Sequence, residues 1–150
     1  MMSASDATPA GSAAALQFRM FGPDSGRPAQ PDLRRLFRGQ RMTAARRARL
    51  GESGRILAMG GTRVVGLAAY ERTDREVRVT ELGLDPESAY GADQIAGGLL
   101  DALELACMAS GARRLVLLPR ATMAEAVLRR RGYTALSVGI CGSWFEKNFV

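Results

Sequence analysis

The sequence has no histidine, only two cysteines, and a single lysine, Lys147, among its 150 residues. Without histidine, the serine–histidine and cysteine–histidine catalytic pairs are excluded, and a metal site of the usual nitrogen and sulfur kind is not expected. Cys107 lies in an apolar stretch and is predicted to be a small core residue, while the spacing gives no support for a disulfide to Cys141. Catalysis would have to use carboxylates, tyrosines, backbone groups or a bound cofactor.

Long apolar runs are also missing. No segment approaches the ~18 to 20 apolar residues that a membrane helix needs, and the N-terminus lacks the basic start and apolar core of a secretory signal. We therefore predict a cytoplasmic protein with no membrane partner. Residues 1–14, rich in Ala, Ser, Gly and Pro, are predicted to be a disordered tail. Residues 15–150 are predicted to form one domain, because 47% apolar residues suffice for a core.

Positive charge is in excess, with a net charge of +6 carried almost entirely by arginine. Seven arginines fall within residues 34–49. They predict either a solvated helical face or a patch that contacts something acidic. No nucleic-acid-binding motif accompanies them, so nucleic acid is not the expected partner.

Turn residues and apolar periodicity divide the chain into seven strands and four helices in the order β, α, α, β, β, β, α, β, α, β, β. Thr43 and Thr122 are predicted N-caps, and Gly51, Gly111 and Gly132 are predicted to end helices. The predicted elements span residues 16–21, 31–37, 43–50, 55–59, 63–70, 76–84, 93–110, 113–118, 122–132, 133–140 and 143–149.

Residues 75–105 are the predicted functional centre. They form a strand, a glycine-containing loop and a long helix. The first backbone N–H groups of a helix have no partner inside it, and the helix dipole adds partial positive charge, so such a junction can bind an anion. The alternative is an ordinary connection between a strand and a helix.

The element order resembles the GNAT superfamily of acyl-CoA-dependent N-acetyltransferases, from residue 16 onward. Four segments carry the resemblance: RVVGLAAY (63–70), LGLDPE (82–87), RRRGY (129–133) and SWFEKNF (143–149). The resemblance implies an α+β fold, with a single domain built on a mixed sheet of about seven mostly antiparallel strands with four helices. It also implies acetyl-CoA, or another acyl-CoA, as cofactor.

The family's phosphate loop has an arginine or glutamine, two variable residues, a glycine, one more residue, and then a second glycine or alanine. Anchored on the leucine pair at 99–100, those positions hold Gly91, Gln94 and Ala96, so only the last fits the pattern. Asp93 adds a negative charge where phosphates would lie, which is unfavourable. The residues that the resemblance assigns to the cofactor are Leu82, Gly83, Leu84, Gly91, Ala92, Asp93, Gln94, Ile95 and Ala96.

The resemblance also bears on catalysis. Ala121 and Leu128 occupy the positions where many members carry an asparagine and a proton-donating tyrosine, and neither can donate a proton. Glu81 is the predicted base, with Glu71 as second choice. The alternatives are an ion-paired or exposed Glu81 and a water chain that removes the proton. Backbone N–H groups near Leu84 would polarise the acyl carbonyl.

We therefore predict an N-acetyltransferase in which the amine attacks the thioester directly in a ternary complex. The alternative is a GNAT-fold binding or regulatory module that has lost catalysis. The amine acceptor is a small molecule or a protein, and an acidic one would suit an arginine-lined entrance. Exposed edge strands near the C-terminus would permit a homodimer.

Overall fold

A computed structural model describes residues 15–22, 33–121, 123, 125–139 and 142–149. Within these residues the predicted order of strands and helices is confirmed. The strands are β1 (Leu16–Phe21), β2 (Gly54–Gly60), β3 (Arg63–Arg72), β4 (Glu76–Leu84), β5 (Arg114–Leu117), β6 (Thr134–Gly139) and β7 (Gly142–Asn148). The helices are α1 (Leu33–Leu36), α2 (Ala44–Glu52), α3 (Ala92–Ala109) and α4 (Glu125–Arg130), with a 3-10 turn at Pro119–Ala121.

All seven strands form one sheet, in the order β1-β2-β3-β4-β5-β7-β6. Only β4 and β5 are parallel, because the chain crosses over through α3 between them. The other five pairs are antiparallel. The predicted α+β architecture with a mixed, mostly antiparallel sheet is confirmed.

Each face of the sheet has its own apolar core. On one face, α3 contributes Ile95, Leu99 and Leu103, which are fully buried, as the helical spacing predicts. On the other face, Phe37 and Leu50, from the segment around α1 and α2, pack on β2 and β3. The α3 core is the larger of the two. It includes Ile95 of the first turn, which packs the start of α3 on the sheet. No helix in the described ranges is long and apolar enough to span a bilayer.

Several predicted helix ends are confirmed. The Thr43 side chain accepts from the backbone N–H of Arg46 at 3.1 Å, and Gly111 and Gly132 have φ of +80° and +91°, which favour glycine. The prediction for Gly51 was wrong. The helix α2 runs through it to Glu52, because the last turn is closed by Ser53, whose backbone N–H bonds to the Arg49 carbonyl. Thr122, Cys141 and the 1–14 segment lie outside the described residues.

A polar cluster closes the α3 core near the C-terminus. Tyr133 is buried, and its hydroxyl donates to a Glu104 carboxylate oxygen at 2.9 Å. Lys147 donates to the other Glu104 oxygen at 3.0 Å and lies 5.6 Å from the centre of the Tyr133 ring. Burial, followed by the charge of Glu104 and the hydrogen bond to it, raises the pKa of Tyr133 above its ordinary value.

This shift predicts a loss of stability at high pH. An unfolded tyrosine releases its proton near a pH of about 10, while the folded Tyr133 keeps it, so unfolding is favoured as pH rises above that value. We expect the stability advantage of wild type over Tyr133→Phe to be full below pH ~10. Above it, the advantage should shrink by about 1.4 kcal/mol per pH unit. Urea unfolding of both proteins between pH ~9 and ~11 measures this, and a constant difference would contradict it.

Candidate functional site

The strand β4 extends past the end of its partner β5. Pairing between them stops at Val79 and Leu117, and the last contact is a bond from the Leu118 N–H to the Val79 carbonyl at 3.0 Å. Pro119 follows, which has no N–H to continue the ladder, and the chain leaves the sheet pairing as a 3-10 helix that stays close to β4. Residues 80–84 of β4 therefore pair with β3 alone.

This arrangement leaves backbone donors of β4 on its β5 edge. Alternate residues of an antiparallel strand turn N–H and C=O towards the same neighbour. The N–H of Asp85 donates to the Val65 carbonyl of β3 at 2.9 Å. By alternation, the N–H groups of Leu82 and Leu84 point the other way, to the edge that β5 has left. These are the backbone groups that the sequence predicts near an acyl carbonyl.

The side chains of these residues alternate between the two faces. Leu82 and Leu84 pack in the α3 core. Glu81 and Gly83 face the α2 side, where a Cβ on Gly83 would lie 2.8 Å from the Phe37 ring. Glu81 and Leu82 therefore point to opposite faces of the sheet, as neighbouring residues of a strand do.

The helix α3 begins at the same end of the sheet, one loop after β4. Its N-cap is Gly91, which makes no side-chain capping bond, and the first intrahelical bond is from the Ile95 N–H to the Gly91 carbonyl at 3.1 Å. The backbone N–H groups of residues 92–94 consequently have no partner within this 18-residue helix. Residues 91–94 are exposed, whereas Ile95 and Ala96 are buried. The first four can therefore contact a ligand, and the last two fix the helix on the sheet.

The loop between β4 and α3 is held by a buried carboxylate. Asp85 is 4% exposed and accepts from the backbone N–H of Glu87 at 2.9 Å and from the Arg63 guanidinium at 2.9 and 3.2 Å. Arg35 lies 3.7 Å from the same carboxylate oxygen. No local pattern singles out Asp85, since its arginine partners come from β3 and α1, far away along the chain.

Glu81, the predicted base, forms a buried ion pair with Arg46 of α2. The Arg46 Nε and Nη2 donate to the two carboxylate oxygens at 2.7 and 2.5 Å, and the two side chains are 9% and 6% exposed. The hydrogen bond to Glu81 raises the pKa of Arg46, so the guanidinium keeps its charge despite burial. The prediction of a solvated arginine face was wrong at this position. Arg46 lies one helical turn before the buried Leu50, so it points inward.

Side chains that could donate a proton are absent from the positions where the resemblance places them. Ala121 and Leu128 are both fully buried in the α3 core. Tyr90 lies beside the start of α3, and its ring packs over Gly60, where a Cβ would meet it at 2.6 Å. Within the described residues no cluster of three or more carboxylates or cysteines could hold a metal ion.

A groove of about 640 Å³ lies beside the N-terminal half of α3. Tyr90, Phe18 and Gly98 form part of its wall, and Asp93, Gln94 and Arg131 bring polar groups to it. It is continuous with the exposed start of α3, so the surface next to the predicted phosphate position is concave and carries charges of both signs.

Comparisons with known proteins identify the fold. No protein-family model matches the sequence, and no curated protein matches it. A GNAT family acetyltransferase from Elizabethkingia anophelis, solved with acetyl-CoA bound, matches with a TM-score of 0.64 and 9% identity over 89% of this chain and 98% of that one. The chain has the GNAT fold.

Two further matches cover only part of the matched protein. N-acetylglutamate synthase from Neisseria gonorrhoeae, complexed with coenzyme A and N-acetyl-glutamate, gives a TM-score of 0.67 and 15% identity over 91% of this chain. PaiA N-acetyltransferase from Thermoplasma acidophilum, in complex with coenzyme A, gives a TM-score of 0.54 and 16% identity over 63% of this chain. This chain spans only 36% and 60% of their lengths.

Proposed function

We propose that this GNAT-fold chain transfers an acyl group, with acetyl the first choice, from an acyl-CoA to an amine. One observation carries the proposal: an 18-residue helix with no N-terminal side-chain cap begins beside a strand that has lost its neighbour. The first feature suits a pyrophosphate and the second suits the pantetheine arm. Solved neighbours that contain coenzyme A or acetyl-CoA support the same assignment.

The residues present fit such a cofactor in part. The exposed N–H groups of Ala92, Asp93 and Gln94, with the dipole of α3, would hold the pyrophosphate. Gly91 has no side chain to obstruct the approach, and the space around it is open, with nothing within 4 Å of where a Cβ would be. The Asp93 carboxylate opposes phosphate binding, and its charge is the main cost of this site. Leu82, Gly83 and Leu84 would line the arm, while Ile95 and Ala96 set the position of α3.

The bound cofactor would supply a thioester whose carbonyl carbon accepts the amine nitrogen. The chain's contribution is to orient that carbonyl with the backbone N–H groups of Leu82 and Leu84, which are fixed by the sheet and need no reorganisation. The sequence predicts Glu81 as the base for the amine. Both oxygens of Glu81 already accept hydrogen bonds from Arg46, so that role requires the ion pair to open.

We further propose an acceptor that carries a negative charge. Arg34 of α1 and Arg41 between α1 and α2 are exposed on the face of the sheet that Glu81 occupies. Arginine recognises carboxylates with paired hydrogen bonds. The neisserial match, solved with N-acetyl-glutamate, binds a product of this chemical class. A homodimer through the edge strand β6 is compatible with the exposed Leu136 and Trp144 (41% and 36%).

Charge variants at Gly91 test the cofactor site. Its φ of −65° accepts any residue, so substitutions there change charge with little strain. Relative to a Gly91→Ala control, we expect Gly91→Arg to lower the Kd for acetyl-CoA and Gly91→Glu to raise it. An exposed pair of charges, here the substituted side chain and a phosphate, is worth about 0.2–1 kcal/mol, which predicts up to fivefold each way. Calorimetric titration measures this. No binding at millimolar acetyl-CoA, or equal affinities in the three variants, would contradict the proposal.

The second candidate is a binding module without catalysis. The apolar residues Ala121 and Leu128 and the charge of Asp93 favour it. The two candidates separate once binding is measured, because only an enzyme releases free thiol from acetyl-CoA faster than the uncatalysed reaction with amines, including amines that carry a carboxylate. Tight binding of the cofactor with no thiol release above the uncatalysed rate would establish the second candidate.

A further inference from the structure

Arg46 donates further hydrogen bonds besides those of its ion pair with Glu81. Its Nη1 donates to the backbone carbonyl of Arg41 at 3.1 Å, and its Nη2 donates to the side-chain oxygen of Gln40 at 2.7 Å. The guanidinium carbon also lies 5.4 Å from the centre of the Phe37 ring. One side chain on α2 thus contacts β4 and three residues of the segment at 37–43, which we call the α1–α2 connection.

The α1–α2 connection meets β4 where that strand has lost β5. Glu81 lies in the part of β4 that pairs only with β3. Gly83, two residues on and on the same face, lies under the Phe37 ring, with the Leu36 carbonyl 3.0 Å from where a Cβ would be. The connection is therefore anchored at Glu81 and Gly83, which are neighbours on one face of the strand that would present the acyl group. Its exposed Arg41 is one of the residues proposed to meet the acceptor.

We propose that Arg46 and Glu81 are positioning residues that hold the α1–α2 connection against β4 and thereby form the acceptor side of the site, and that Glu81 does not take the proton of the amine. The geometry supports this role over a base. Both carboxylate oxygens are bonded to the guanidinium and the side chain is almost closed to water, so an amine reaches neither oxygen unless the ion pair opens. The catalytic half of the proposal, that Glu81 does not take the proton of the amine, rests on the proposed acyltransfer. The mechanical half, that the pair holds the α1–α2 connection against β4, does not.

Three variants and one control test the proposal. Glu81→Gln removes the charge of the anchor, Arg46→Lys keeps a charge but loses the forked bonds, and Arg46→Met/Glu81→Leu removes both charges so that no ion is left buried. Arg47→Met is the control, since Arg47 is the exposed neighbour of Arg46 on the same helix. Thermal melting of each variant confirms that it is folded before the other measurements.

Amide hydrogen exchange tests the mechanical half without any substrate. We expect at least tenfold faster exchange of residues 37–43 in Arg46→Lys and in the double variant, with α3 and the Arg47→Met control unchanged. Unchanged exchange in the α1–α2 connection overturns the proposal. This result stands even if the wild type proves to transfer no acyl group, in which case the proposed function fails and exchange alone decides.

With an active wild type, kinetics test the catalytic half. A positioning role raises the acceptor KM by tenfold or more in Glu81→Gln and in the double variant, keeps kcat within about fivefold, and leaves the pH profile of kcat in place. The affinity for acetyl-CoA should not change. A fall in kcat of about 10²–10⁴ with an unchanged acceptor KM, and loss of the acidic limb of the profile, would make Glu81 the base and overturn the proposal.

Discussion

Arg46→Met is expected to lower the free energy of unfolding by about 3–5 kcal/mol, although it removes one surface-type residue from a helix that otherwise bears exposed arginines. The reason is the partner that stays behind. Glu81 is 4% exposed, so without the guanidinium its carboxylate must either remain charged in an apolar surrounding or take up a proton. Glu81→Leu should cost a similar amount, because it leaves the Arg46 charge buried.

The double variant Arg46→Met/Glu81→Leu should recover most of this loss. Two apolar side chains of similar size leave no buried charge, and such replacements are often neutral or stabilising. The two single changes are thus expected to be strongly non-additive, with a coupling of several kcal/mol. Urea unfolding of the four proteins gives the cycle, and Arg47→Met is the control, expected within about 0.5 kcal/mol of wild type. Additive effects would show that the two charges do not depend on each other.

Arg46 also shows which part of the structure could not be predicted from the sequence. Periodicity and turn residues were enough for the order of all the described elements, because each strand and helix has its own local pattern. The seven arginines of 34–49 look alike in the sequence, so it left two alternatives for the whole segment, a solvated helical face or a patch that contacts something acidic. The i, i+4 relation between Arg46 and the apolar Leu50 was a signal for an inward side chain. Glu81, the partner of Arg46, lies 35 residues away and could not be predicted from the sequence.

Some parts of the candidate site could also be predicted from the sequence, and others could not. The start of α3 and the strand before it were predictable, since a glycine-containing loop between a strand and a long helix is a local pattern. The end of β5 at Leu117 was not, because strand pairing is a non-local property and the apolar run continues to Leu118. Asp85 was missed for a similar reason, as its two arginines come from β3 and α1. Cofactor placement in the loop stays a prediction until binding is measured.

Gly66→Ala is expected to be the most damaging methyl addition in the sheet. Gly66 lies on β3 beneath α3, and a Cβ there would lie 2.6 Å from the Cγ2 of Ile95 and 3.3 Å from both the Ala58 Cβ and the Leu99 Cδ1. Those three side chains are fully buried, so none of them can swing away. Overpacking of this kind costs about 1–3 kcal/mol. Urea unfolding measures the loss.

The same substitution should also reach the ligand site, because Ile95 is in the first turn of α3. Pushing Ile95 outward moves the backbone N–H groups of residues 92–94 relative to β4. We therefore expect Gly66→Ala to weaken acetyl-CoA binding by tenfold or more at a temperature where the variant is fully folded. Gly51→Ala is the control. Gly51 is an exposed position of α2 where nothing lies within 4 Å of an added Cβ, and alanine favours a helix by up to about 1 kcal/mol. If Gly66→Ala lost stability but bound acetyl-CoA as well as Gly51→Ala does, the start of α3 would not be the phosphate site.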